Sequence, residues 1–154
     1  MEDVKKKEKV VFANGVFDIL HPGHIDVLKF AKSLGDRLIV AINSDSSVKE
    51  TKGPDRPINS EGDRRVALLA LGFIDEVVIF DEPTTREIIR KIRPDIVVKG
   101  GEWSAEEVRK IDQVPEDIEI VMCPLTMKSP GIKYSTTEII REGNIHTNQE
   151  DGKH

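Results

Sequence analysis

Cysteine and long apolar runs are the features that this sequence of 154 residues has least of. Its single cysteine, Cys123, excludes a disulfide within the chain and suits a reducing cytoplasm. No apolar run approaches the roughly 20 residues that cross a bilayer. The charged residues 1–9 lack the apolar core of a secretory signal. We therefore expect a cytoplasmic protein without a membrane-spanning segment.

Basic residues are also in the minority, with 23 Lys and Arg against 28 Asp and Glu, for a net charge of −5. This balance argues against broad binding to nucleic acid, which requires a positive surface. Small anionic ligands stay compatible with it, because local lysines and helix N-termini decide how those ligands bind. The expected partners are therefore small molecules, with neither a nucleic acid nor a membrane among them.

Five apolar, β-branched segments alternate with segments of helical periodicity along the chain. The predicted strands are 10–14, 38–42, 76–80, 95–98 and 118–122. This alternation predicts an α/β fold, a Rossmann-like parallel five-stranded sheet with helices on both faces. We expect one domain over 10–142, between flexible tails at 1–9 and 143–154. Right-handed crossovers would bring the loops that follow the strands to one edge of the sheet, where ligands bind in this class.

One polar stretch and the helix after it complete the prediction for the first half of the chain. Residues 48–59 are polar and contain glycine and prolines, so they predict a loop. A helix is predicted over 61–71, with Val66, Leu69 and Ala70 facing the core.

Two histidines lie in the loop that follows the first predicted strand. Gly15 and Gly23 allow the backbone of this loop to approach a phosphate closely. His21 and His24, three residues apart at the opening of a helix, can face one ligand where free N–H groups already favour an anion. The loop matches neither the Walker pattern nor GxGxxG. It predicts a phosphate site in which imidazoles stabilise developing charge.

Two other interpretations of His21 and His24 stay open. In one, they are a helix cap and a core filler. In the other, they bind zinc, but they supply only two ligands and Cys123 is the sole thiol, so a metal site is disfavoured.

Taken together, the motifs resemble a known family. GVFDILHPGH, LIVAINSD, RPIN, VKGGEW and STTEII occur in this order between residues 10 and 141. The chain is similar to the HxGH nucleotidyltransferases, the cytidylyltransferase-like family, and most similar to the adenylyltransferase module of ADP-heptose synthesis. The resemblance implies transfer of the adenylyl group of ATP to heptose 1-phosphate with release of pyrophosphate. It also implies a Mg²⁺ ion that is held mainly by the triphosphate.

The resemblance further implies roles for individual residues. His21, His24 and Lys52 would be catalytic, with Lys49 a weaker alternative to Lys52. Asp18 and Lys52 would contact the acceptor substrate. The implied nucleotide-binding residues are Gly15, Val16, Phe17, His21, Gly23, His24, Arg64, Lys99, Gly100, Ser135, Thr136 and Thr137.

Several of these residues have a structural alternative. The two lysines could be solvated side chains, Arg64 could be a surface charge on an exposed helix face, and residues 135–137 could simply cap a helix. Asp18 suits a structural turn equally well. Some family members carry an arginine shortly before the STT turn, and here Lys128 or Lys133 would replace it.

The resemblance implies partners as well. They are ATP, a small phosphorylated acceptor, a second copy of the chain in a homodimer, and a separate sugar kinase that supplies the acceptor. The same scaffold also serves CTP-dependent cytidylyl transfer to glycerol 3-phosphate or another phospho-alcohol, and adenylylation of flavin mononucleotide. A nucleotide-binding module without turnover is a further alternative, which the presence of His21, His24 and Lys52 disfavours.

Overall fold

The computed structural model describes residues 7–101, 103–124, 127–129 and 132–133. Five strands form one sheet in the order β3-β2-β1-β4-β5. All four neighbouring pairs are parallel. The strands are β1 Val10–Gly15, β2 Arg37–Asn43, β3 Glu76–Phe80, β4 Ile96–Gly100 and β5 Glu119–Cys123. The predicted five-stranded parallel α/β fold is confirmed, and each predicted strand lies within two residues of the observed one.

Five helices connect or follow these strands in the described part of the chain. They are α1 Pro22–Ser33, α2 Asp45–Lys52, α3 Glu61–Leu69, α4 Arg86–Ile92 and α5 Ala105–Ile111. A short antiparallel pair, β6 Met127–Ser129 with β7 Ile132–Lys133, follows β5 and was not predicted. None of the described helices is both long and apolar enough to cross a membrane.

The sheet buries apolar side chains on both faces, as its β-branched strands predict. Along β1, Val11 and Ala13 pack in the cluster that contains Leu28 of α1 and Leu68 of α3. The intervening Phe12 packs on the opposite face. That second cluster includes Ile89 of α4 and Val97 of β4. The alternation assigns α1 and α3 to one face and α4 to the other.

Strand order places a topological switch point between β1 and β4. From β1 the chain builds outward through β2 to β3, and it then returns to the other side of β1 to build β4 and β5. In open parallel sheets the crevice at this point, at the carboxyl ends of the strands, is where ligands bind. The loop that carries the histidines leaves β1 at this edge.

The first half of the predicted loop at 48–59 is wrong, because residues 45–52 form α2. Ser44 is the N-cap, and its hydroxyl accepts a hydrogen bond from the Ser47 N–H at 3.3 Å. Val48 is fully buried and anchors the helix to the core. The helix ends at Gly53, whose φ of 106° few other residues adopt.

The predicted inner face of the helix over 61–71 is also wrong. Val66 is 68% exposed and Leu69 is 37% exposed, and Ala70 is exposed as well. The buried side chains of α3 are Arg64 and Leu68, which lie one turn apart. The prediction failed because it assigned the inward face by hydrophobicity alone, whereas a hydrogen-bonded arginine occupies that face.

Candidate active site

The histidine loop, defined here as residues 16–24, leads from β1 into the first turn of α1. Pro22 occupies the first turn of α1, where its missing N–H costs nothing. His21 is the N-cap, in extended conformation, and its Nδ1 accepts a hydrogen bond from the His24 N–H at 3.4 Å. One of the free N–H groups of the first turn is thereby satisfied, and the others stay available to an anion. His21 is thus a helix cap, as one alternative proposed, and it also lies in the predicted site.

The two imidazoles form a stacked pair. The ring centroids of His21 and His24 lie 3.7 Å apart, with an interplanar angle of 20°. The Phe17 ring meets His24 edge-on, with centroids 5.1 Å apart. A Cβ at Gly15 would lie 2.8 Å from the Phe17 ring, so a larger residue there would have to displace this ring. Phe17 itself has a φ of 50°, a backbone conformation that is unfavourable for a bulky residue. Such conformations tend to occur at functional sites.

Burial favours the neutral form of both imidazoles. Burial lowers the pKa of His24 to about 4, and the neighbouring His21 adds to this shift, while the Ile19 backbone opposes it. Burial also lowers the pKa of His21. The Nδ1 atom of His24 is buried and has no hydrogen-bond partner among the described residues. Unused polar capacity of this kind is uncommon in a folded protein, and the atom stays available to a ligand.

Asp18 connects the histidine loop to residues 56–59, the segment that precedes α3. Its carboxylate is buried and accepts hydrogen bonds from the N–H groups of Ile58 and Asn59, both at 2.8 Å, and from Nε of Arg56 at 3.3 Å. Its carbonyl oxygen accepts a further bond from the Asn59 side chain at 2.6 Å. These contacts support the structural-turn alternative for Asp18. Its predicted contact with substrate stays a prediction.

Arg64 lies behind the histidine loop with 1% of its surface exposed, so the exposed-charge alternative is wrong. Its Nη1 donates to the carbonyl oxygens of Val16 at 2.9 Å and Asn43 at 2.8 Å. Its Nε donates to the Asn59 carbonyl at 3.0 Å, and its Nη2 to Asp45 at 2.9 Å. Four of the five guanidinium N–H groups are therefore used inside the protein. Its predicted contact with pyrophosphate would have to use the remaining one.

Lys49 and Lys52 lie on the last turn of α2, and both side chains are exposed. The structure therefore places Lys52 on a helix end and not in a loop. The start of α2 is tied to the start of α3 by an exchange of hydrogen bonds, from the Glu61 N–H to Asp45 at 2.8 Å and from the Asp45 N–H to Glu61 at 3.1 Å. Neither lysine forms a hydrogen bond or ion pair with another described residue, so both are free to meet a ligand.

Lys99 lies on β4 and faces Asn14 on β1. Its ammonium donates to the side-chain oxygen of Asn14 and forms an ion pair with Asp112 at 3.1 Å. Burial lowers the pKa of Lys99, and Asp112 opposes the shift. The next residue, Gly100, approaches α1 closely, since a Cβ there would lie 3.3 Å from Val27. Sequence reasoning missed Asn14 because a lone asparagine at a strand end carries no motif.

Not every predicted site residue is open to description. Residues 135–137 lie outside the described residues, as do the side chains of Lys128 and Lys133. Val16 and Gly23 lie in the loop and the first turn of α1, together with the histidines. Within the described part of the chain, no group of three or more His, Cys, Asp or Glu side chains is placed to hold a metal ion.

A parallel sheet with paired imidazoles at a helix N-terminus beside its switch point defines an α/β protein with a site suited to an anionic ligand. The chain belongs to the cytidylyltransferase-like family, which it matches over residues 12–142.

Individual relatives agree with this assignment. Over 112 residues the chain is 55% identical to the bifunctional protein HldE of Campylobacter concisus, which corresponds to 73% of this chain and 24% of that protein. It is 50% identical over 138 residues to HldE of a Marinomonas species, covering 90% of this chain and 28% of that protein. The chain thus spans about a quarter of the length of these curated relatives.

A solved structure has the same fold. The lipopolysaccharide core biosynthesis protein of Thermoplasma volcanium superposes with a TM-score of 0.64 at 30% identity, covering 83% of this chain and 99% of that one.

Proposed function

We propose that the protein transfers the adenylyl group of ATP to a sugar 1-phosphate, heptose 1-phosphate, and releases pyrophosphate. The observation that carries the proposal is the stacked pair of His21 and His24 at the N-terminus of α1, beside the switch point of the sheet. Support for the acceptor comes from the relatives named HldE and from the Thermoplasma protein, whose name assigns it to lipopolysaccharide core biosynthesis.

The proposed reaction requires positioning more than proton transfer. An oxygen of the acceptor phosphate attacks the α-phosphorus of ATP, the new P–O bond forms, and the bond to the bridging oxygen of pyrophosphate breaks. The attacking oxygen is already anionic, so no general base is needed. Catalysis then consists of in-line alignment and stabilisation of charge on the phosphoryl oxygens.

His21 and His24 suit this chemistry because burial favours their neutral form. A neutral imidazole donates one hydrogen bond to a phosphoryl oxygen without requiring a proton from solvent, and its donation strengthens as negative charge develops. The N–H groups and dipole of α1 act on the same anion. We assign the triphosphate to this end of α1.

Lys52 is proposed to bridge the reacting phosphates from the end of α2. Its side chain is exposed and has no internal partner among the described residues, as a ligand-binding ammonium requires. Asp18 and Arg64 hold the segments on either side of it against the histidine loop. They act as positioning residues in this proposal, while residues 135–137 retain their proposed contact with the β- and γ-phosphates.

Mg²⁺ is part of the proposal as a ligand of the triphosphate. The groups around the histidine loop are imidazoles and backbone N–H groups, whereas Mg²⁺ prefers oxygen ligands and retains water. The buried Asp18 carboxylate already accepts three hydrogen bonds. The donor set therefore fits an ion that takes its ligands from phosphate oxygens and water. When bound, it would offset the charge of the triphosphate.

The proposed quaternary structure is a homodimer, and a sugar kinase is proposed to supply the sugar 1-phosphate. The exposed apolar side chains of α3, Val66 at 68% and Leu69 at 37%, support an interface on this helix. Apolar side chains at positions three apart form one stripe on a helix surface.

The test is pyrophosphate release with Mg²⁺, in which ATP and CTP are each combined with heptose 1-phosphate, glycerol 3-phosphate and flavin mononucleotide. Turnover with ATP and heptose 1-phosphate alone is the expected result. Turnover with CTP and glycerol 3-phosphate, or with flavin mononucleotide, would keep the reaction type and overturn the substrate. Binding of ATP without turnover of any acceptor would favour a module that only binds nucleotide.

A further inference from the structure

Three polar side chains at the carboxyl end of the sheet, Asn14, Lys99 and Asp112, form a polar network that the proposed reaction does not yet use. Lys99 contacts Asn14 on one side and Asp112 on the other. The Lys99 and Asp112 side chains are only 16% and 15% exposed. Asp112 is the C-cap of α5, so this polar network connects the end of a helix to β1 and β4, the two strands of the switch point.

The position of this polar network follows from the register of β1 and β4. Val11, Phe12 and Ala13 of β1 pair in order with Ile96, Val97 and Val98 of β4, which places Asn14 beside Lys99. Side chains alternate along a strand, so Asn14 lies on the same face as Phe12 and Lys99 on the same face as Val97. That is the face covered by α4, opposite to α1 and its histidines.

Lysine chemistry dictates how the Asn14 amide is oriented. An ammonium group has only donors, so the atom that faces Lys99 must be the amide oxygen of Asn14. The two N–H donors of the amide then point away from Lys99. Among the described residues, no acceptor forms a hydrogen bond with them, although the side chain is partly buried. Two oriented donors are thus left at the ligand-binding edge of the sheet.

We propose that Asn14 contacts the phosphorylated acceptor, donating a hydrogen bond to one of its oxygens, and that Lys99 positions the amide for this contact. The inference rests on the proposed nucleotidyl transfer. In-line displacement requires the attacking oxygen to lie opposite the departing pyrophosphate. In this proposal the triphosphate lies at the N-terminus of α1 and the acceptor approaches from the side of the sheet on which Asn14 lies.

This assignment changes the role of Lys99. Two of the three donors of its ammonium have internal partners, so in this proposal Lys99 holds Asn14 in one orientation. Asp112 in turn compensates the charge of a lysine that is largely removed from water. Asn14 is the residue that contacts substrate, and Lys99 is a positioning residue.

The test compares Asn14→Ala and Asn14→Asp with the wild-type chain in the pyrophosphate-release assay with ATP and heptose 1-phosphate. Asn14→Asp keeps a partner for Lys99 but replaces the N–H donors by acceptors, and Asn14→Ala removes the amide without adding charge. Both should raise the KM for heptose 1-phosphate by about tenfold or more, because a hydrogen bond to a charged or hydroxyl oxygen is lost. The KM for ATP should stay within about twofold, a free-energy change below about 0.5 kcal/mol.

A charge-neutral double variant, Lys99→Met with Asp112→Asn, tests the positioning role. It should also raise the acceptor KM while leaving that for ATP unchanged, a selectivity that general loosening of the fold would not produce. Thermal melting of every variant identifies any that fails to fold.

Other outcomes overturn the inference. An equal rise in the KM values for ATP and for heptose 1-phosphate would indicate that Asn14 contacts the nucleotide. A raised acceptor KM in Asn14→Asp but not in Asn14→Ala would show that the new carboxylate repels the acceptor, and not that a hydrogen bond from the amide is lost. Wild-type turnover with unchanged variants would refute the role of Asn14 while leaving the proposed function intact. Absence of wild-type turnover with any acceptor would refute the proposed function itself, and this inference with it.

Discussion

His21 and His24 stack with ring centroids 3.7 Å apart, and the Nδ1 atom of the first accepts the backbone N–H of the second. The N-cap contact and the stacking together keep both rings at the opening of α1. Burial lowers the pKa of both imidazoles, and for His24 the proximity of His21 adds to the shift, because two imidazoles this close cannot readily carry two positive charges. The pair and the contacts that hold its loop can therefore be tested by substitution and by pH.

Replacement of His24 by asparagine should lower turnover much more than nucleotide affinity. Loss of one preorganised donor to a developing oxyanion typically reduces kcat by about 10²–10³-fold. ATP would still contact the N–H groups of α1, so its Kd should change little. Turnover is measured by pyrophosphate release and affinity by calorimetry. Equal losses in both quantities would show that His24 binds the ground state and has no special role in the transition state.

Protein stability should fall as the pH is lowered from about 6.5 towards 4. The pKa of His24 is about 4 in the folded chain, against an ordinary value of 6.5, so the unfolded chain binds more protons in this window. Between pH 7 and pH 5 the group contributes a loss of at most about 2 kcal/mol in the free energy of unfolding. Urea denaturation at both pH values measures it. His24→Asn should lose less stability between the two pH values. If the free energy of unfolding depends on pH as strongly in this variant as in the wild type, the assignment to His24 is refuted.

Replacement of Arg64 by methionine should destabilise the fold by about 3–5 kcal/mol, because it leaves Asp45 and three carbonyl groups without their partner. Arg65 is the matched control, since its side chain is exposed one position further on. Arg65→Met should change stability by less than about 0.5 kcal/mol. Urea denaturation compares the two. Normal stability of Arg64→Met with weakened pyrophosphate binding would instead support the direct contact predicted from sequence.

Replacement of Lys52 by alanine should lower kcat by about 10²-fold while leaving stability unchanged. The side chain is exposed and forms no internal ion pair among the described residues, so its loss acts on ligands alone. Lys49→Ala lies on the same helix turn and should change kcat little. Pyrophosphate release and thermal melting are measured for both. The reverse ranking of the two variants would exchange their roles.

Replacement of Val66 by glutamate should convert the proposed homodimer to a monomer. In the single chain the side chain is 68% exposed, so the monomer itself should lose less than about 0.5 kcal/mol of stability. Sedimentation equilibrium measures the oligomeric state. Leu68→Ala, a buried neighbour, should instead destabilise the chain by about 2–5 kcal/mol. A Val66→Glu chain that stays dimeric would exclude α3 as the interface.

Much of the architecture was readable before the structure. The segment 76–80 coincides with β3, and residues 10–14 and 38–42 fall inside β1 and β2. Buried parallel strands are continuous β-branched runs, and such runs are a strong local signal. Cys123 is buried at the end of β5. The histidines could be singled out because glycine, proline and histidine in one short loop are a local pattern too.

Features controlled by local chemistry could therefore be predicted from the sequence, namely the strands and the chemical nature of the histidine loop. Only the folded chain reveals the contacts of Arg64, Asp18 and Asn14, because their partners are distant in sequence. The separations are 48 and 21 residues from Arg64 to Val16 and Asn43, 40 and 41 from Asp18 to Ile58 and Asn59, and 85 from Asn14 to Lys99. A buried arginine and an exposed valine on α3 reverse the ordinary preference of both side chains. Hydrophobicity cannot anticipate this reversal, because it depends on backbone carbonyl groups that only the folded chain brings together.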